Sequence, residues 1–319
     1  MTARGAPGRL GSPRLHLRRT DSTNTRARQL AAAGAPHGTL VTAGEQTSGR
    51  GRQGRAWSAP AGRALLCSVV VRDPARLLSL AAGAAVAELV GPEARIKWPN
   101  DVLVVGGKVG GNVGGNVGGK VAGILVEGRP QEGWAVLGVG LNVAVRQDDF
   151  PPELQGVAAT LGLGPEAIEP TLARLLLGLE RWISASTAEV LQAVRGRDAL
   201  RGHRVRWAGG DGRADGIDAA GRLIVRTSER AHALDAGEVH LEETVTMNND
   251  QIADYVGEHA PELDPQDVAD FMAEHAKPDD QPGTQIGWAV GVLRQRGENQ
   301  LGDGVSVDRV ADELRRRNR

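Results

Sequence analysis

Several features that define other protein classes are scarce or absent in this chain of 319 residues. It contains one cysteine, Cys67, which excludes an internal disulfide framework and a cysteine-rich zinc site. No apolar run approaches membrane-spanning length, and the first residues lack the apolar segment of a secretory signal. The net charge of −1 provides no global positive field for nonspecific binding of nucleic acid. These absences predict a cytoplasmic protein.

Aromatic residues make up only 3% of the chain, whereas 40% is apolar, so the core must be built from Val, Leu, Ala and Ile. Apolar runs such as "ALLCSVVV" and "GWAVLGVGLNVAV" predict strands, and single helices lie between them, including an amphipathic one from Leu172 to Ile183. This pattern predicts an α+β fold with a mixed sheet. The predicted organisation is a flexible leader (1–13), this domain (14–200), a small β-barrel (201–243) and a helical appendage (244–319).

A tandem repeat, "GGKVGGNVGGNVGGK", interrupts the predicted domain at residues 106–120. Its glycine content prevents it from forming a core, so it predicts an extended loop between two strands. Two lysines of the repeat, Lys108 and Lys120, have the same Gly-Gly-Lys-Val context.

The stretch from Gly49 to Arg55 contains three glycines and three arginines, which is compatible with three structures. It could be a disordered RGG-like segment that binds nucleic acid, an exposed loop without a function, or a mobile loop that binds anions. Glycine frees the backbone, and arginine meets phosphate or carboxylate oxygens in paired hydrogen bonds. The charge balance of the whole chain disfavours the nucleic-acid interpretation.

Five motifs in order settle this choice: "DSTN" (21–24), "GRGRQGRAW" (49–57), "KWPND" (97–101), "KVAGIL" (120–125) and "GVGLN" (138–142). In this order the chain resembles the biotin–protein ligases over residues 14–242. The resemblance implies a class II synthetase-like catalytic domain followed by an SH3-like barrel. It implies formation of biotinyl-adenylate from biotin and ATP with Mg²⁺, and transfer of biotin to a lysine of a biotin carboxyl carrier domain. The Gly/Arg stretch then becomes a lid that orders over the reactive anhydride.

The resemblance also implies roles for individual residues. The catalytic candidates are Arg50, Arg52, Lys120 and Asp101, with Asp101 placed to meet the incoming lysine. The biotin- and ATP-binding candidates are Ser22, Thr23, Asn24, Gln46, Gly49, Arg50, Gly51, Arg52, Arg55, Trp57, Lys97, Trp98, Asn100, Lys120, Gly123, Gly138, Gly140 and Asn142. No metal-ligating residue is predicted.

Some of these residues have simpler explanations that the sequence leaves open. Ser22 and Thr23 could cap a helix, Trp98 could pack in the core, and the glycines of "GVGLN" could permit close backbone approach. Lys120 is preferred to Lys108 because it alone precedes the "VAGIL" strand.

Two other functions fit the same motifs less well. A lipoate or octanoate ligase shares the fold, and a non-catalytic biotin-binding protein would result if the repeat disabled the site.

The chain reaches its first catalytic strand near Arg14, which predicts a ligase without a DNA-binding module and without a nucleic-acid partner. A homodimer is compatible with the sequence. The histidines of the tail, His259 and His275, lack the local spacing of metal ligands.

Overall fold

The computed structural model describes residues 9–105, 118–151, 154–235, 237, 239–241, 264 and 266. The chain divides into two compact units, residues 1–241 and 242–319. Most of the repeat and nearly all of the predicted appendage, including both of its histidines, lie outside the described residues. No helix in the described part of the chain is long and apolar enough to cross a membrane.

A seven-stranded mixed sheet forms the centre of the first unit, which confirms the predicted α+β class with a mixed sheet. Strands β1 and β2 pair in parallel and all other neighbours are antiparallel, in the order β1-β2-β3-β7-β6-β5-β4. The strands are β1 (Arg14–Leu17), β2 (Leu40–Ala43), β3 (Ala64–Arg72), β4 (Ala94–Lys97), β5 (Asp101–Val104), β6 (Gly119–Arg129) and β7 (Trp134–Asn142).

Helices cover the two faces of this sheet unequally. Helix α1 (Thr23–Ala32) packs through Ala27 and Ala31 on one face. The opposite face is covered by α2 (Leu78–Val90), α3 (Ile168–Ser184) and α4 (Thr187–Arg195). Because α1 is short, part of its face of the sheet is left open beside it, and the candidate site lies there.

A second, antiparallel sheet of five strands follows α4, in the order β11-β10-β9-β8-β12. Its strands are β8 (Arg204–Trp207), β9 (Gly210–Ile217), β10 (Leu223–Arg226), β11 (Ala231–Leu234) and β12 (His240–Leu241). Trp98 links the two sheets, since its Nε1 donates to the carbonyl of Gly221 at 3.0 Å. Apolar residues of the second sheet, including Leu223 and Val225, belong to the same core cluster as the first.

The last residues of the predicted leader make ordered contacts. Leu10 is buried, and its backbone N–H donates to the Glu180 carboxylate at 2.7 Å. The carbonyl of Pro13 accepts from the N–H of Leu40 at the start of β2. Residues 10–13 of the predicted leader are therefore packed against the domain, because Leu10 has apolar surface to bury.

Candidate active site

The candidate site is a cleft on the α1 face of the seven-stranded sheet. Gly123 and Leu125 of β6 line it together with Gly138 and Gly140 of β7. Glu127 lies further along the same face of β6, since residues two apart in a strand share a face. Most of the residues predicted from the sequence line this cleft: Ser22, Thr23, Asn24, Gln46, Arg50, Gly51, Arg52, Arg55, Trp57, Lys97, Trp98, Asn100, Asp101, Lys120, Gly123, Gly138 and Gly140.

Asn24, in the first turn of α1, is held by hydrogen bonds at both of its amide atoms. Its Nδ2 donates to Glu127 Oε2 at 2.9 Å and to the Leu125 carbonyl at 3.3 Å. Its Oδ1 accepts from the buried hydroxyl of Ser68 at 2.6 Å. Each amide atom meets a partner of the opposite type, so these partners define the orientation of the amide.

The neighbouring polar residues extend this network. Gln46 Oε1 accepts from both the backbone N–H and the hydroxyl of Thr23, at 2.7 and 2.9 Å. Ser22 occupies the N-cap position, but its side chain makes no capping hydrogen bond. Gln46 therefore accepts the hydrogen bond of the first N–H group of α1. The Ser22 hydroxyl is not used for capping. Thr23, Asn24 and Gln46 are called the amide end of the cleft below.

Two glycines of β7 are required because side chains approach them closely. Their backbone dihedral angles do not themselves require glycine. A Cβ at Gly138 would lie 2.0 Å from Asn24 Oδ1, and one at Gly140 would lie 2.5 Å from Trp57 Cε2. A Cβ at Gly123 of β6 would lie 3.0 Å from the same indole. The Trp57 ring therefore packs directly against Gly123 and Gly140, which are called the glycine floor below. Its buried Nε1 has no hydrogen-bond partner among the described residues.

Gly138→Ala should lower the free energy of unfolding by about 1–3 kcal/mol. The Asn24 amide is held by hydrogen bonds at both of its polar atoms, so it cannot shift away from the added methyl group without breaking them. Gly83→Ala is the control, since its Cβ would make only ordinary contacts, the nearest at 3.5 Å, and alanine favours the helix. Urea unfolding measures both variants. Adding Asn24→Ala should recover part of the loss, and an unchanged stability of Gly138→Ala alone would contradict the close contact.

The opposite end of the cleft carries an ion pair between Lys120 and Asp101. Lys120 Nζ lies 2.8 Å from Asp101 Oδ1 and 5.7 Å from the centroid of the Trp57 ring. The two side chains retain exposed fractions of 35% and 19%, so an arriving ligand can reach both.

A β-bulge turns Lys120 towards the cleft. Asp101 pairs with Gly123 and Leu103 pairs with Lys120, so Val121 is an extra residue in β6. Without the bulge, Lys120 and Gly123 would point to opposite faces, because positions three apart alternate in a strand.

Further cations surround this ion pair. Arg52 Nη1 donates to Asn100 Oδ1 at 3.0 Å, and Asn100 Nδ2 donates to Asp101 Oδ1 at 3.1 Å. Burial lowers the pKa of Lys97, which Asp101 raises and the nearby cations Lys120 and Arg55 lower further. Burial likewise lowers the pKa of Arg52, opposed by Asp101. Arg52, Arg55, Lys97 and Lys120, with Asp101, are called the cationic end below.

The Gly/Arg stretch forms a small hairpin over the cleft, called the lid hairpin (residues 49–57). Arg50 pairs with Ala56, Gly51 N–H donates to the Arg55 carbonyl at 2.7 Å, and Trp57 N–H donates to the Gly49 carbonyl at 2.9 Å. Gly49 must be glycine, since its Cβ would lie 2.2 Å from the Trp57 carbonyl oxygen. Gly49 thus shapes the hairpin without itself lining the cleft.

Asn142 also lies outside the lining of the cleft. Its Nδ2 donates to the Ala159 carbonyl at 2.9 Å, and Ala159 N–H donates to the Lys120 carbonyl at 2.9 Å. Lys120 N–H in turn donates to the Val157 carbonyl at 2.8 Å. Asn142 therefore supports the site indirectly. It holds the segment of residues 157–159, which fixes the backbone of Lys120.

Trp98 combines the two roles that its sequence context left open. Its side chain is 2% exposed and belongs to the main core cluster, yet it also lines the cleft. Sequence reasoning missed Ser68 and Glu127, which hold Asn24, and Gly237 and Val239, which line the cleft from the region of the second sheet. The alternation of β6 could have drawn attention to Glu127, which shares a face with Gly123.

No group of three or more His, Cys, Asp or Glu residues that could hold a metal ion occurs in the described part of the chain. Asp101 and Asn100 are the oxygen donors of the cationic end. A site of this kind suits Mg²⁺ that is held mainly by substrate phosphates and waters.

Comparisons with known proteins agree on one family. Residues 16–143 match the family model of the biotin/lipoate A/B protein ligase family. The biotin–[acetyl-CoA-carboxylase] ligase of Mycobacterium tuberculosis is 36% identical over 243 residues, which cover 69% of this chain and 85% of that protein. The bifunctional ligase/repressor BirA of Bacillus spizizenii is 37% identical over 152 residues, covering 44% and 43%. The chain thus spans less than half the length of that relative.

A solved structure gives the same result for the fold. The biotin protein ligase from Aquifex aeolicus, in complex with biotin and ATP, superposes with a TM-score of 0.57 at 26% identity. The match covers 73% of this chain and 99% of the other.

Proposed function

The chain belongs to the biotin/lipoate A/B protein ligase family, and we propose that its cleft activates biotin with ATP and transfers it to a protein lysine. In the first step a carboxylate oxygen of biotin attacks the α-phosphorus of ATP, and pyrophosphate leaves. In the second step a lysine amine attacks the carbonyl carbon of the biotinyl-adenylate, and AMP leaves. The protein is thereby a biotin–[biotin carboxyl carrier protein] ligase.

One observation carries this proposal, namely the division of one cleft into an uncharged end and a cationic end. The amide end offers oriented amide and hydroxyl groups, which suit the ureido ring of biotin. The cationic end places Arg52, Arg55, Lys97 and Lys120 around the single carboxylate of Asp101. An excess of positive charge favours the meeting of a carboxylate with a triphosphate, which would otherwise repel each other.

Lys120 has the central role in the first step. Its ammonium group is held by Asp101, beside the glycine floor, and can exchange that carboxylate for ligand oxygens. The bulge at Val121 and the contacts with Val157 and Ala159 fix its backbone on two sides. Rigid placement matters because positioning supplies much of the effect of such a cation.

Asp101 is assigned to the second step. Once Lys120 contacts the adenylate, the carboxylate of Asp101 becomes available to an incoming lysine ammonium. It can orient this group and accept its proton, which the amine must lose in order to attack. The same carboxylate therefore serves the resident lysine first and the carrier lysine second.

Several finer assignments belong to this proposal. Mg²⁺ would accompany the ATP phosphates near Asn100 and Asp101. The acceptor would be a biotin carboxyl carrier domain, as the names of the relatives suggest. We infer that the five-stranded sheet is a small SH3-like barrel and that 244–319 is a helical appendage. A cytoplasmic location, a homodimer and the absence of a nucleic-acid partner stay predictions.

Biotin-dependent exchange of pyrophosphate into ATP tests this function. The wild-type chain should catalyse the exchange with biotin and Mg²⁺ and should lose it without biotin. Exchange that requires lipoate instead would identify a lipoate ligase. Tight binding of biotin without exchange would identify a non-catalytic binding protein.

A chain ending at Glu243 should retain the full rate of this exchange. Every described residue that lines the cleft lies before Leu241, where the first compact unit ends. The measurement is the exchange rate of the shortened chain, with circular dichroism to verify folding. A folded but inactive shortened chain would show that residues 244–319 take part in the reaction.

A further inference from the structure

Glu127 contacts three side chains, namely Asn24 of the amide end and two arginines that lie beside that end. Its Oε2 accepts from Asn24 at 2.9 Å, and its Oε1 lies 3.1 Å from Arg50 Nη2 and 3.3 Å from Arg28 Nη1. Its side chain is only 19% exposed, so the carboxylate is partly shielded from water. Arg28 comes from α1, whereas Arg50 comes from the lid hairpin.

Two of the three arginines of the lid hairpin, Arg50 and Arg52, contact opposite ends of the cleft. Arg50 reaches Glu127, and Arg52 reaches Asn100. Asn100 is bonded to the carbonyl of Ile124, three residues before Glu127 on β6. Three residues of a strand span about 10 Å, so the hairpin crosses the cleft between two fixed points.

We propose that Glu127 is a positioning residue that holds the lid hairpin closed through Arg50, while Arg52 alone of these two arginines faces the reacting anions. This inference rests on the proposed function and deepens it. The guanidinium of Arg50 is paired with a carboxylate beside Asn24. The proposed function assigns that side of the cleft to the uncharged ring of biotin. Arg50 therefore has a partner that persists whether or not phosphate is present.

The pair also connects ligand binding to closure of the lid. Glu127 contacts Asn24 and Arg50 through different oxygens, so one carboxylate orients the amide end and anchors the hairpin. Removal of its charge should loosen the hairpin without removing an acceptor for Asn24. Glu127→Gln makes this change, because glutamine retains one carbonyl oxygen.

The experiment compares Glu127→Gln, Arg50→Gln and the double variant with Arg28→Gln as the matched control. Arg28 and Arg50 contact the same oxygen and are similarly exposed, at 40% and 46%, but only Arg50 belongs to the hairpin. Labelled biotinyl-adenylate is loaded on each protein, and its release is followed without a carrier. We expect Glu127→Gln and Arg50→Gln each to accelerate release about five- to ten-fold, and the double variant no more than either single one.

Arg28→Gln should change release by less than about two-fold. The rate of pyrophosphate exchange at saturating biotin and ATP should stay near wild type in Arg28→Gln, because Arg28 does not line the cleft. The proposal would be overturned if the effects of Glu127→Gln and Arg50→Gln on release were additive, or if Arg50→Gln released the adenylate faster while Glu127→Gln did not. Either result would assign Arg50 to direct contact with the ligand.

A second readout separates this proposal from the proposed function. In the ligand-free protein, the hydrogen exchange of the Gly51 and Trp57 amides reports the integrity of the hairpin, since both donate within it. Glu127→Gln and Arg50→Gln should reduce their protection equally, and Arg28→Gln should preserve it. Unchanged protection in Glu127→Gln would overturn the proposal even in an active enzyme. Failure of the wild type in pyrophosphate exchange would instead contradict the function.

Discussion

Lys120→Ala should reduce the rate of biotinyl-adenylate formation by about 100- to 1,000-fold, the usual cost of removing one group that stabilises developing negative charge. Lys120 is the cation that pairs with Asp101 above the glycine floor. Its side chain is 35% exposed, so the substitution should leave the thermal stability nearly unchanged. Biotin-dependent pyrophosphate exchange measures the loss.

Lys108→Ala is the matched control, because Lys108 has the same Gly-Gly-Lys-Val context but is not followed by the "VAGIL" strand. It should leave the exchange rate nearly intact. Deleting residues 109–120 joins Lys108 directly to "VAGIL", and it should preserve or raise activity, with Lys108 in the place of Lys120. An active Lys120→Ala enzyme, or a folded but inactive deletion variant, would contradict the assignment of the lysine directly before "VAGIL" to adenylate formation.

Arg52→Ala should release biotinyl-adenylate about 10- to 100-fold faster, as expected for loss of a charge-assisted contact. Arg52 joins the lid hairpin to Asn100, next to the ion pair of Lys120 and Asp101. Its loss both opens the hairpin and removes a cation from the phosphate side. The KM for ATP should rise less than the release rate, because Lys97, Lys120 and Arg55 remain.

Release can be observed as biotin on unrelated proteins, since diffusing adenylate reacts with exposed lysines. Arg129→Ala removes an arginine at the far end of β6 whose partner, Glu132, is an exposed residue just beyond that strand. This control should label no bystander protein above the wild-type level. Full retention of the adenylate by Arg52→Ala, with labelling confined to the carrier, would contradict the assignment of the lid.

The sequence predicts those parts of the molecule that depend on local patterns. The continuous apolar runs become β3 and β7, and the turn at Pro99 separates β4 from β5. The amphipathic pattern from Leu172 to Ile183 lies within α3. The motifs carry enough information to bring most of the predicted residues to one cleft.

Features that depend on pairing between distant strands could not be predicted. The bulge at Val121, which turns Lys120 into the cleft, is visible only from its pairing with β5. Asn142 belongs to a binding motif by its sequence, but its amide is used for Ala159. The motif glycines Gly138 and Gly140 approach Asn24 and Trp57, which are remote in sequence.

Glu127 escaped sequence reasoning for a related reason. A glutamate near the end of an apolar strand resembles an ordinary solvent-facing residue. Its importance depends on Asn24, Arg28 and Arg50, which reach it from a helix and from the lid hairpin.

Mass spectrometry of a biotin carboxyl carrier domain, after incubation with this protein, biotin, ATP and Mg²⁺, tests the central claim most directly. The wild-type protein should attach one biotin to a single lysine of the domain, and the attachment should require ATP. Lys120→Ala should leave the domain unmodified under the same conditions. Attachment without ATP, equal attachment by Lys120→Ala, or an unmodified domain with the folded wild-type protein would contradict the claim.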